Sequence, residues 1–146
     1  MAELVQDGPW AGWIRSTDPD PDTFLGFIGP SYARPEGGSR ATVIVETRPA
    51  HRNRLGKLHG GFIAAVADHV GFAALNAMGR PEQLNGVTVD LTVQFMGLGR
   101  IGPPLRADVE ILQETGRLFF VRMTFSQEDA SVAAATATFR KARETA

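Results

Sequence analysis

The chain has 146 residues, of which 43% are hydrophobic and 21% charged, with a formal net charge of -1. That length suits one domain able to bury roughly 70% of the surface its unfolded chain exposes, and the charge supplies no basic field for a nucleic-acid partner. Cysteine is absent, which excludes disulfides, thiolate catalysis and zinc–cysteine sites.

The N-terminal MAELVQDGPW has no basic stretch leading into an apolar core, so no secretory signal is expected and the expected location is cytoplasmic. Residues 1–22 carry Gly8, Pro9, Pro19 and Pro21 and read as a loop or short helix that lays Trp10 and Trp13 on the domain. From Phe24 to Tyr32 the pattern is strand-like, PEGG at 35–38 signals a turn, and RATVIVETRP is a second strand closed by Pro49. These two strands make a hairpin. The polar, glycine-bearing loop HRNRLGKLHGG follows.

Gly61 to Met78 reads as one helix, about 27 Å long at about 1.5 Å per residue. Gly79 and Arg80-Pro81 stop it. Phe62, Ile63, Val66, Val70, Phe72, Ala73 and Leu75 spread around its circumference, the mark of a helix buried on most sides. Asp68, His69 and Asn76 interrupt the run, which reads as too short and too polar to cross a membrane.

After the helix the period changes to two. In GVTVDLTVQFM, Val87, Val89, Leu91, Val93 and Phe95 alternate with Thr88, Asp90, Thr92 and Gln94. MGLGRIGPP is an irregular connector. Leu105, Ala107, Val109 and Ile111 form the next alternating strand, ETGR a turn, RLFFVRMTFS a strand, EDAS a turn and SVAAATATFRK the last strand. Strands grouped apart from one apolar helix imply an α+β fold, an antiparallel sheet wrapped around a central helix, with no internal repeat or domain boundary.

That architecture, together with HRNRLGKLHGGFIAAVAD, resembles the hotdog-fold acyl-CoA thioesterases, in particular the branch with the phenylacetate-pathway and hydroxybenzoyl-CoA thioesterases. The family pattern, N-x-x-G-x-x-H-G-G followed by an apolar helix with an acidic residue, is met by Asn53, Gly56, His59, Gly60, Gly61 and Asp68. VTVDLTVQF at 87–95 and then Gly102, Leu105 and Ala107 also fit, and the similarity runs from about residue 40 to 140. One departure is Leu98, where relatives often carry proline near the substrate.

The resemblance implies hydrolysis of an acyl- or aryl-CoA thioester without a metal or other cofactor, CoA being part of the substrate. Negative charge develops on the thioester oxygen, and free N–H groups at a helix start can hold it. The N–H of Gly60 is therefore the expected oxyanion donor, with Gly61 as a second. Asp68 lies seven residues beyond Gly61, about 20° off the same stripe and roughly 10 Å further along the axis. It cannot easily reach a carbonyl held by its own Gly60. The family's paired antiparallel helices would bring it to a partner's helix start, as general base or nucleophile, giving two sites per homodimer and a further pairing into a tetramer.

The resemblance also implies that Asn53 places the carbonyl or the water, that His59 contacts the thioester, and that the Thr88 hydroxyl orients water. His69 points about 100° away from Asp68 around the helix and reads as structural. Arg54, Lys57, Arg80, Arg100, Arg140 and Lys141 are candidate partners for the CoA phosphates, and the sequence does not rank them. His51, His59 and His69 do not make a metal site, and no G-x-S-x-G or H-E-x-x-H motif is present. The alternative function is a non-catalytic acyl-CoA-binding or sensing module on the same fold. A hotdog dehydratase lacks its histidine-plus-acid pattern here.

Overall fold

The computed structural model describes residues 1–143. Its strands are β1 (Ala2–Leu4), β2 (Ile14–Ser16), β3 (Ser31–Gly37), β4 (Arg40–Val45), β5 (Val87–Phe95), β6 (Leu105–Glu114), β7 (Leu118–Gln127) and β8 (Ala130–Arg140). The helices are α1 (Phe24–Ile28) and α2 (Gly60–Ala77). All eight strands join one antiparallel sheet in the order β1-β2-β3-β4-β6-β7-β8-β5.

Helix α2 sits in the hollow of this sheet and contacts every strand from β3 to β8. Of its 18 residues 11 are buried, which is why the segment is so apolar. Its mean hydropathy of 1.2 over 18 residues would by composition alone suffice for a membrane span, contrary to the expectation from its polar interruptions, but that apolar surface is packed against the sheet. Sheet residues of β6, β7 and β8 close the core with Leu105, Val109, Phe119, Val121, Met123, Phe125 and Phe139. One stripe of α2 stays uncovered: Gly61 and Asp68 are exposed, and Ala64 and Ala65 only partly buried.

The start and stop of α2 follow from local chemistry. His59 is its N-cap, its ring nitrogen Nδ1 accepting from the N–H of Gly61 at 2.8 Å, so the helix begins at Gly60, one residue before the expected start. At the other end Gly79 takes φ +83°, and the N–H groups of Gly79 and Arg80 return to the carbonyls of Asn76 and Leu75.

Two stretches depart from the expected elements. Residues 1–22 hold the short antiparallel pair β1–β2 rather than a helix or plain loop. Trp10 stacks on Tyr32 with centroids 4.9 Å apart, and the Arg34 guanidinium lies 4.4 Å from the Trp13 ring centre. Phe24–Ile28 is helical instead of strand-like, because the Thr23 hydroxyl caps it by accepting from the Gly26 N–H at 3.1 Å and Gly29, at φ +88°, ends it. The hairpin therefore pairs β3 with β4 from Ser31 onward.

The third departure is in β5. Thr88 pairs with Phe139 and Asp90 with Thr138, so Val89 is an extra, bulged residue. Strict alternation would put Thr88 on the same outer face as Asp90 and Thr92. The bulge turns it inward beside the fully buried Phe139, and leaves Val87 and Val89 exposed rather than buried.

Helix and sheet meet closely where Gly71 faces Phe139. A Cβ on Gly71 would lie 2.3 Å from Phe139 Cε2, and that ring is also held by Phe72 at 4.5 Å between centroids. Gly71→Ala is expected to lower stability by about 1–3 kcal/mol through overpacking. Urea unfolding measures this, and a variant as stable as the wild type would mean that the ring can move aside.

Candidate active site

The loop before α2 is tied to itself. Asn53 accepts with Oδ1 from the N–H groups of Leu55 at 2.8 Å and Lys57 at 3.1 Å, and its own N–H donates to the Lys57 carbonyl at 2.7 Å. Its side-chain oxygen is thus spent on the turn, leaving Nδ2 as its free donor. His59 N–H donates to the His51 carbonyl at 2.8 Å, and Leu58 N–H to Gly99 at 2.9 Å, which fixes the loop against the connector after β5.

At the start of α2 the two expected oxyanion donors differ. The Gly61 N–H is taken by His59 Nδ1, so Gly61 is corrected from second donor to capping partner. A Cβ there would stand 2.9 Å from that same nitrogen. The Gly60 N–H has no acceptor among the described residues. Phe95 covers its α-carbon: a Cβ on Gly60 would lie 3.4 Å from the Phe95 ring. Capping by Nδ1 leaves His59 Nε2 without a hydrogen bond among the described residues. Alternation alone assigns Phe95 to the core, and nothing in the sequence signals that it forms a wall of this site.

Asp68 lies eight residues beyond Gly60, about 12 Å along the helix axis. It is exposed on the uncovered stripe of α2, and its Oδ1 accepts from the Thr88 hydroxyl within the same chain. The bulge at Val89 makes this contact possible. The site residues of one chain therefore fall into two groups, Asp68 with Thr88 and Gly60 with His59 and Phe95. Asn53 belongs to the loop beside the second group.

His69 turns away from Asp68, as expected, and pairs through Nε2 with the fully buried Ser31 hydroxyl at 2.9 Å. Desolvation holds its pKa down at about 4, against a smaller opposing pull from Asp68. His51 is buried and also depressed by desolvation. Its Nδ1 accepts from the Arg48 N–H at 3.2 Å, and its Nε2 lies 2.8 Å from the Phe27 carbonyl and 3.2 Å from the Arg48 Nε. The His51 ring stacks on Phe62 at 3.8 Å between centroids, and with Phe27 and Phe24 it lines a cavity of about 370 Å³ beside His59 and Gly61.

Of the candidate phosphate partners, Arg80 pairs with Glu82 and Glu114, Lys141 with Glu114 and Arg100 with Glu128. Arg54, Lys57 and Arg140 have no carboxylate partner among the described residues. No group of three or more His, Asp or Glu among those residues is placed to hold a metal ion.

A family model described as the thioesterase superfamily matches residues 55–134, from the loop before α2 into β8. The chain belongs to the thioesterase superfamily. The superfamily makes it a thioester hydrolase with the hotdog fold, an antiparallel sheet around one central helix. It is 28% identical over 115 residues to a Pseudomonas aeruginosa protein named as a candidate esterase, covering 79% of this chain and 85% of that one. It is 31% identical over 78 residues to mouse acyl-coenzyme A thioesterase 13, covering 53% of this chain and 54% of the mouse protein. This thioesterase superfamily member thus spans only about half the length of the mammalian relative. Among solved structures, a hypothetical thioesterase of Streptococcus pneumoniae, determined with coenzyme A, shares the fold at a TM-score of 0.63 and 17% identity, with 75% of this chain and 87% of that chain covered.

The depressed pKa of His69 has a consequence for stability. The imidazole is neutral in the folded chain down to about pH 4, whereas the unfolded chain protonates it near its ordinary 6.5. Its contribution is complete above 6.5 and is lost as pH falls through 4, with a slope of up to about 1.4 kcal/mol per pH unit. Denaturant titrations between pH 4 and 7 should show stability falling on acidification in the wild type and a flatter profile in His69→Asn. An unchanged slope would show that His69 is already protonated in the folded state.

Proposed function

We propose that this superfamily member hydrolyses acyl-CoA thioesters at two composite sites of a homodimer, each joining Asp68 of one subunit to Gly60 of the other. The observation that carries this reading is the separation within one chain. The carboxylate and the free helix-start N–H lie about 12 Å apart along one helix, at the two ends of a stripe where Gly61 and Asp68 stay exposed among the described residues.

The means of covering that stripe are present. Strand β5 ends the sheet order, so its outer edge has no partner among the described residues, and an unpaired edge of nine residues is a template for another strand. Large apolar side chains crowd this region: Val89 is 60% exposed, Phe95 56% and Leu98 73%. Two copies joined antiparallel along β5 would also bring their α2 helices together, with Gly61, Ala64 and Ala65 small enough for close approach. Each Asp68 would then face the partner subunit's Gly60.

The chemistry follows from those positions. The thioester oxygen accepts from the partner subunit's Gly60 N–H, at the positive end of α2, which stabilises the charge that develops there. Asp68 either takes a proton from an attacking water or attacks the carbonyl carbon itself. In the first case water oxygen bonds to carbon, the tetrahedral oxyanion collapses, the carbon–sulfur bond breaks and CoA leaves as the thiolate. In the second, an Asp68 oxygen bonds to the carbon, the carbon–sulfur bond breaks and CoA leaves as the thiolate, and water then hydrolyses the acyl–aspartyl anhydride to the free acid and the Asp68 carboxylate. The Thr88 hydroxyl, donating to Oδ1, keeps the carboxylate oriented with Oδ2 available. His59, the residue before Gly60, keeps Nε2 for contact with the thioester, and Asn53 steadies the loop that carries it.

A thiol-release assay over aliphatic and aromatic acyl-CoAs tests the proposal. The wild type should turn over at least one of them, and Asp68→Ala should lose roughly 100-fold or more in kcat. Sedimentation at micromolar concentration should give a dimer or a multiple of it. A fully active monomer would overturn the composite site, and acyl-CoA binding without turnover would make the chain a non-catalytic acyl-CoA-binding module.

A further inference from the structure

The cavity beside His59 does not include Phe95 in its lining and is built largely from residues outside the stretch 55–134 that matches the superfamily. Its walls are Phe24 and Phe27 of α1, the edge-on and stacked rings of His51 and Phe62, and the backbone of Gly61. Both ring nitrogens of His51 are already used: Nδ1 accepts from the Arg48 N–H, and Nε2 is engaged by the Phe27 carbonyl and Arg48 Nε. His59 Nδ1 is used as well, by Gly61. The walls therefore offer mainly ring faces, His59 Nε2 being the one lining imidazole nitrogen without a bond among the described residues, and a charged or hydroxylated group placed against those rings would lose its water without compensation. Arg52, exposed, is the one charged residue in the lining among the described residues.

We infer that this cavity is the acyl pocket, that it takes an uncharged apolar acyl group, and that α1 sets the size limit. The inference rests on the proposed thioesterase reading. A thioester oxygen at the Gly60 N–H puts the acyl carbon next to Gly61 and His59, which form the near wall of the cavity. The acyl tail then passes between Phe62 and α1. A cavity of about 150 Å³ admits one benzene ring. The roughly 370 Å³ here matches an aryl group with substituents or a chain of medium length, and because the groove is open on one side the end of a longer fatty acyl chain would extend past α1 into solvent. Phe24, 67% exposed, is the lip of the pocket. Its ring touches Phe27 at 6.0 Å between centroids and otherwise faces outward, where a bound chain would cover it.

The test compares kcat/KM for hexanoyl-CoA, benzoyl-CoA, palmitoyl-CoA, succinyl-CoA and acetyl-CoA in the wild type, Phe24→Ala and Ala50→Phe. Ala50 is an exposed lining residue, so both substitutions leave the core intact. The wild type should prefer hexanoyl- or benzoyl-CoA over acetyl-, succinyl- and palmitoyl-CoA. The ratio of hexanoyl- to acetyl-CoA should fall about tenfold in Phe24→Ala, the effect of losing one or two apolar contacts, and further in Ala50→Phe, which fills the space. Unchanged ratios in an active enzyme overturn the pocket and leave the thioesterase reading standing. Preference for succinyl-CoA that disappears in Arg52→Ala overturns the apolar assignment. Dissociation of the dimer by Phe24→Ala would instead make Phe24 an interface residue. If the wild type turns over nothing, the thioesterase reading fails, and calorimetry with the thioether S-hexyl-CoA decides the pocket by itself. The Phe24→Ala variant should then bind S-hexyl-CoA about tenfold more weakly while its affinity for CoA alone is unchanged, and equal weakening of both overturns the pocket.

Discussion

Everything in this molecule depends on enclosing one apolar helix. Helix α2 buries side chains around most of its circumference, and no flat sheet can cover a cylinder on more than one side. The sheet has to curl from β3 through to β8, and small residues mark where the wrapping is tightest, as at Gly71 against Phe139. What the sheet cannot cover is the stripe from Gly61 to Asp68. That gap is also the only place where a carboxylate and an open helix end coexist on α2, so the enclosure of the core and the placement of the proposed chemistry are a single geometric fact.

Much of this was legible from residue order. An apolar run with glycine before and after it gave α2 to within one residue, and the period-two alternation of β6 located its buried face. The Asn–His-Gly-Gly–Asp pattern drew attention to the residues that gather at the two ends of the uncovered stripe. These signals are local, and local signals survive folding when packing agrees with them.

The failures have physical causes of the opposite kind. FLGFIG alternates like a strand, but the Thr23 cap and the positive φ of Gly29 favour a single helical turn. The β1–β2 pair is held by backbone bonds such as Val5 to Trp13 at 2.9 Å and by the Trp10–Tyr32 stack, contacts between residues too far apart in sequence to show a period. The part played by Phe95 and the capture of the Gly61 N–H by His59 depend on three-dimensional approach. Neither leaves a trace in composition.

The bulge at Val89 acts as a phase shifter in the code that a strand uses to sort its side chains. Upstream of it odd-numbered residues face out; downstream they face in. Two relatives with the same letters through this strand, one with the inserted residue and one without, would send the threonine hydroxyl in opposite directions. Resemblance across β5 therefore has to be measured by counting residues along the ladder, because identity column by column is blind to parity.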